Sequence, residues 1–238
     1  MPFLQKHINM ENPTARELIF NTIKEKTSLK QDVFNNLKLN FKVLKTVLKE
    51  MADDLRDKMK EEDDRVKIEY RDKGDYEAQL QIGGDVLIFN MHTNVFQFDS
   101  ANSLWKTSYL KENGNRGFAG IINIYNFLSD SFKYNRMHDS GYMIARVFVN
   151  AENHFMVQGK RQLGFLYNDF INMTMSKEYM EKVIESAILY TLDFDLFTPP
   201  YEHVQEVSVQ EMQSLSDTMQ IKTGKRLGFV FQADSDTV

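Results

Sequence analysis

The chain has no cysteine, which excludes a disulfide framework, thiol chemistry and any cysteine-ligated zinc or iron–sulfur centre. With 4 prolines and 11 glycines in 238 residues, it has neither a collagen-like repeat nor a Pro-rich or Gly/Ser-rich linker. There is no excess of basic charge. Lys+Arg 29 against Asp+Glu 34 gives a net charge of −5, so no nucleic-acid partner is expected. Long hydrophobic runs are missing too. The least polar stretch, 117–128, contains Asn123 and Asn126 and is too short to cross a bilayer. The first residues lack the apolar core and small-residue cleavage site of a secretory leader. No membrane association is expected, and the cytoplasm is the expected compartment.

What is present is a globular composition, 42% hydrophobic and 26% charged. A chain of this size buries roughly 70–75% of its unfolded surface and needs no covalent staple. One α+β domain is expected over residues 1–238. It comprises N-terminal helices over 13–60, a first β-meander over 65–98, a second half over 103–232 and an acidic tail over 233–238.

The N-terminal helices carry the clearest signals. A first helix is expected over about 13–26, with Asn12 as N-cap, Pro13 in the first turn, and Thr14 and Glu17 at capping-box spacing. Thr27-Ser28 reads as a restart, with Ser28 and Gln31 repeating the capping pattern. A second helix then runs over about 29–60, because Phe34, Leu37, Phe41, Leu44, Leu48, Met51 and Leu55 alternate spacings of three and four on one stripe. That stripe fits two uses: a coiled-coil seam for a homodimer or protein partner, or a backbone helix lying on its own sheet. Val33, Val43 and Val47 widen it towards the second.

From residue 65 the period drops to two. Val66, Ile68 and Tyr70 face one way, followed by Tyr76, Ala78, Leu80 and Ile82. A three-residue turn ending at Gly74 pairs Arg71 with Asp75. A Gly83-Gly84 turn pairs Leu80 with Leu87, Ala78 with Phe89 and Tyr76 with Met91. A further turn at Thr93-Asn94 pairs Met91 with Phe96. Beyond this, a strand is expected over 104–110, a helix over 118–131, a hairpin over 142–149 and 154–160, and a strand over 163–167. A helix from Ser176 to about residue 191 stops before Pro199-Pro200. A short helix over 209–220 and a strand over 226–232 close the chain. The fold class is α+β, an antiparallel meander of six to eight strands packed against the long helix and shorter C-terminal helices.

Catalytic motifs are absent. No HExxH or HxxxH spacing occurs, GxSxG is missing, and the glycines at 114, 117 and 120 follow neither the dinucleotide nor the P-loop pattern. The expected register leaves one polar constellation. It sets Arg71 opposite Asp75, Asp75 opposite His92, and Glu69 opposite Glu77. A carboxylate beside an imidazole is the smallest pair that orients a general base, with Asp75, His92 and Glu77 as candidate catalytic groups. Arg71 would anchor an anionic ligand, and Glu69, Glu77 and His92 are candidates for metal ligation. The same alternation of charges is also how a solvated sheet face ordinarily reads. No cofactor is indicated. The expected function is that of a non-enzymatic interaction or regulatory protein self-associating through the 29–60 helix. The alternative is a small-molecule or metal-binding protein or hydrolase using the polar meander cluster.

Overall fold

In a computed structural model, residues 13–194, 198, 200–203, 205–210 and 212 are described. One helix dominates. It comprises α1 (Ala15–Thr22), a π-helical turn (Ile23–Thr27) and α2 (Ser28–Glu62), 48 residues without interruption. At 1.5 Å per residue it extends about 72 Å. Thr14 caps it: its hydroxyl accepts from the Glu17 amide while the Glu17 carboxylate accepts from the Thr14 amide at 2.7 Å. The restart expected at Thr27-Ser28 does not occur. Thr27 makes no side-chain cap and both residues are helical, because no glycine or proline between 14 and 62 breaks the backbone ladder. The π turn absorbs the junction instead.

The helix lies along a seven-stranded antiparallel sheet of order β1-β2-β3-β5-β6-β7, with β4 beside β5. The strands are β1 (Ile68–Asp72), β2 (Glu77–Ile82), β3 (Asp85–Met91), β4 (Phe96–Gln97), β5 (Phe118–Leu128), β6 (Tyr142–Asn150) and β7 (Phe155–Gly159). Short helices α3 (Ser108–Glu112), α4 (Ser129–Lys133) and α5 (Gln162–Leu166) fill connections, and α6 (Lys177–Leu192) is capped by Ser176 as expected. The β2–β3 register is the expected one, Leu80 opposite Leu87 and Ala78 opposite Phe89.

Five local expectations are corrected. Strand β1 meets β2 four positions further along, Arg71 opposite Gln79 and Asp72 opposite Ala78, around a longer loop. Two lysines of α2 hold that loop open. Lys45 Nζ reaches Asp72 Oδ1 at 2.7 Å and the Gly74 carbonyl, and Lys38 Nζ reaches Asp75 Oδ2 at 2.9 Å. Thr93-Asn94 is not a hairpin turn, since β4 runs on past β3 and pairs with the same strand, Phe96 opposite Ala119. Residues 118–128 form the eleven-residue strand β5 rather than a helix. Segment 104–110 is a 3-10 turn followed by α3, and 163–167 falls largely in α5. The expected helix from residue 209 runs past the described residues, and the strand over 226–232 and tail over 233–238 lie outside them.

The core is helix on sheet. Leu37, Phe41, Leu44 and Leu48 are buried in one cluster with Ala78, Leu80, Leu87, Phe89, Ile122 and Ile124, joined by Met180, Val183 and Ile184 of α6. Phe34, Met51 and Leu55 pack half-buried against it. The apolar stripe of α2 is therefore taken up by the chain's own sheet. Gly120 allows the close approach: a Cβ there would stand 2.6 Å from Leu37 Cδ2. Among the described residues, no helix is long and apolar enough to cross a membrane.

Candidate functional site

The polar meander residues are dispersed among separate partners. β2–β3 pairing ends at Glu77 opposite Asn90, short of Asp75 and His92. The Asp75 carboxylate is bound by Lys38, which holds its pKa below the ordinary carboxylate value. His92 Nδ1 accepts from the Asn94 amide at 3.0 Å, and its ring stands edge-on to Phe96 at 4.7 Å. Arg71 donates to Glu69 Oε2 at 2.7 Å and Gln81 Oε1 at 3.1 Å. Bonds from Arg71 and then Lys67 hold the Glu69 carboxyl at about 2. Glu77 accepts from Gln79 at 2.7 Å, and Glu69 stands opposite Gln81, so the two glutamates do not oppose one another. Among the described residues, no three metal-ligating side chains converge.

A denser polar cluster sits at the β6–β7 turn. Tyr109 stacks on His154 with ring centroids 4.7 Å apart, and the Arg116 guanidinium lies 4.3 Å from the Tyr109 ring centre. The Tyr109 hydroxyl donates to Glu152 Oε2 at 3.0 Å and accepts from Asn150 Nδ2 at 3.0 Å. Arg116 Nε donates to Glu152 Oε1 at 2.9 Å, and His154 Nδ1 donates to the Phe170 carbonyl at 3.1 Å. Burial, with the bond to Glu152, pushes the Tyr109 phenol up to about 12. For Glu152 burial acts upward, but the bonds from Arg116 and Tyr109 outweigh it and its pKa is lowered. A general acid or base works best with a pKa near the operating pH, and both groups are moved away from neutrality. The cluster is a clasp tying the 108–117 segment to the hairpin turn. Its inner side continues into α2, where Asn36 Nδ2 donates to the Asn150 carbonyl at 2.7 Å and Asn40 Nδ2 to Asn153 Oδ1 at 2.8 Å. The glycine run at 114–120 serves packing as well: a Cβ at Gly117 would stand 2.7 Å from the Trp105 ring.

The third feature is apolar. No residue of α1 or of the π turn is buried, so residues 15–27 form an arm reaching beyond the sheet. Leu18, Ile19, Phe20 and Ile23 on that arm are 53% to 64% exposed. Four large apolar side chains thus stand within six positions of one helix without cover among the described residues. Reading the sequence placed a helix here but assigned the contact surface to the later stripe. The signal that separates them is composition. The 34–55 stripe is widened by Val33 and Val47, both buried, into a face broad enough to cover a sheet, while Val43, expected to widen it too, is exposed; the arm has only a short apolar cluster between charged residues.

No protein-family model matches the chain, and neither a curated protein nor a solved structure matches it.

Proposed function

We propose that the protein acts through assembly rather than catalysis, self-associating through the helical arm over residues 15–27. The observation that carries this reading is the exposure of Leu18, Ile19, Phe20 and Ile23 on a helix segment with no core of its own. The stripe of α2 does not compete for the role, since its central residues are buried against the sheet. The polar clusters do not compete either. Their carboxylates are occupied by Lys38, Arg71 and Arg116, which leaves them as surface pairs and a structural clasp.

Analytical ultracentrifugation of the full chain tests the reading. Leu18→Glu with Ile23→Glu should convert a concentration-dependent dimer into a monomer while the melting temperature stays put, because neither side chain touches the core. A wild-type protein that remains monomeric up to roughly 100 μM, above the range expected for a small interface, would overturn it.

A further inference from the structure

Asn113-Gly114 is the chain's one Asn-Gly step, and it lies in the segment that the clasp ties to the hairpin turn. Glycine lacks the side chain that hinders its own backbone nitrogen, so this step is where an asparagine amide is most open to attack from the next peptide. The fold sets a geometric block against that attack. Cyclisation closes a five-membered ring, which needs Asn113 Cβ and the Gly114 nitrogen nearly eclipsed about the Cα–C bond, at a ψ of about −120° for an L residue. Asn113 stands at ψ 103°, with Cβ turned away from that nitrogen. Two hydrogen bonds keep it there. Its Oδ1 accepts from the Asn115 amide at 3.0 Å, and its carbonyl accepts from the Arg116 amide at 3.1 Å. The Arg116 side chain is fixed in turn by Glu152 at 2.9 Å and the Tyr109 carbonyl at 3.0 Å.

We infer that Asn113 is a self-modification site and that the clasp is its lock. When Arg116 and the 113–117 turn release, ψ is free to rotate. The Gly114 nitrogen gives its proton to hydroxide and attacks Asn113 Cγ. The N–Cγ bond forms, the Cγ–Nδ2 bond breaks, and Nδ2 leaves as ammonia with a proton taken from water. Water then opens the succinimide at either carbonyl. Cleavage of the N–Cγ bond gives aspartate. Cleavage between the same nitrogen and the main-chain carbonyl carbon gives isoaspartate, whose main chain is one methylene longer and no longer matches the turn. Either product adds a negative charge next to Glu112, which already accepts from Arg116 at 3.2 Å, and so competes with Glu152 for the guanidinium. Loss of ammonia makes the step one-way, so an opening that is caught leaves the clasp looser.

Peptide mapping by mass spectrometry tests the lock, with the full chain incubated at mildly alkaline pH both folded and in urea. Conversion at Asn113 should be about tenfold or more slower in the folded protein, because the reactive form is reached only by breaking hydrogen bonds. Glu152 is exposed and far from Asn113 in sequence. Glu152→Ala should therefore raise the folded-state rate about threefold or more and leave the rate in urea unchanged. Tyr109→Phe, which removes a hydroxyl bonded to the same carboxylate, should act in the same direction. Both variants should keep the wild-type circular dichroism, which separates local release from unfolding. Gly114→Ala should suppress conversion in both states without disturbing the fold, since a Cβ there meets only Trp105 at 3.8 Å, an ordinary contact. Equal wild-type rates folded and in urea, or a folded-state rate unmoved by both Glu152→Ala and Tyr109→Phe, would overturn the clasp as lock. Undiminished conversion in Gly114→Ala would overturn attack by the Gly114 nitrogen.

Discussion

Glu69 and Tyr109 are the two residues whose surroundings move a pKa furthest in opposite directions, one to about 2 and the other to about 12. Each shift predicts a pH dependence of stability. Glu69 binds its proton more weakly in the folded state than at its ordinary 4.5, so its contribution to stability is complete above that value. It drains away as pH falls towards 2. Arg71→Met removes the first of its two partners, and carboxyl NMR titration should find the midpoint displaced upward towards the ordinary value. A midpoint unmoved by the substitution would assign the shift to Lys67 instead. Tyr109 holds its proton more tightly when folded, so its contribution is intact below its ordinary 10.0 and lost as pH rises through about 12. Tyr109→Phe should flatten the stability profile across that alkaline window, at a cost at neutral pH of about 1 kcal/mol for the lost hydrogen bonds, measurable by urea unfolding. At this scale the sequence showed which residues are polar but not whom they meet. Lys38 and Lys45 reach Asp75 and Asp72 from a helix 37 and 27 positions away, and no local turn rule contains those contacts.

Elements were legible in proportion to how regular their periodicity is. The α2 stripe alternates cleanly over some twenty positions, and the β2–β3 hairpin offers two facing runs that fit in one register, so both are seen in the fold. Strand β5 was misread because its run from Phe118 to Ile124 is buried on both faces, which leaves no alternation to distinguish strand from helix. Its Ile121-Ile122-Asn123-Ile124 stretch, rich in β-branched residues, was the available hint. Strand β4 was misread because a strand that breaks and continues has the same alternation as one that turns back. The helix-on-sheet contact predicts sharply different outcomes at neighbouring sites. Gly120→Ala places a methyl group against Leu37 in a closed layer and should cost about 1–3 kcal/mol by denaturant unfolding. Leu44→Asp buries a carboxylate where no partner exists in the apolar cluster and should abolish folding rather than only dissociate a dimer. A folded, monomeric Leu44→Asp protein would instead place that residue in an intermolecular seam.

At the scale of the whole molecule, one continuous helix is divided between two environments. Its longer part belongs to the core, and its first 13 residues, from Ala15 to Thr27, contribute no buried residue and have no tertiary support among the described residues. The core-bound part supplies the nucleus, so the arm does not face the full cost of starting a helix. Propagation along it is nevertheless weak: Ile19, Phe20, Asn21, Thr22 and Ile23 are all middling helix formers, and the exposed apolar side chains gain nothing from water. An unpaired arm should therefore fray from its N-terminal end, and a paired one should not. On the proposed pairing, helicity and assembly are coupled. Far-UV circular dichroism of the full chain at 222 nm should become more negative as concentration rises, by the increment of at most about one dozen residues, with the same midpoint as the mass transition. Leu18→Glu with Ile23→Glu should stay at the dilute value throughout. A signal that is constant across the range in which the mass doubles would mean that the arm is fully helical alone. Assembly would then join preformed surfaces without any accompanying gain of structure.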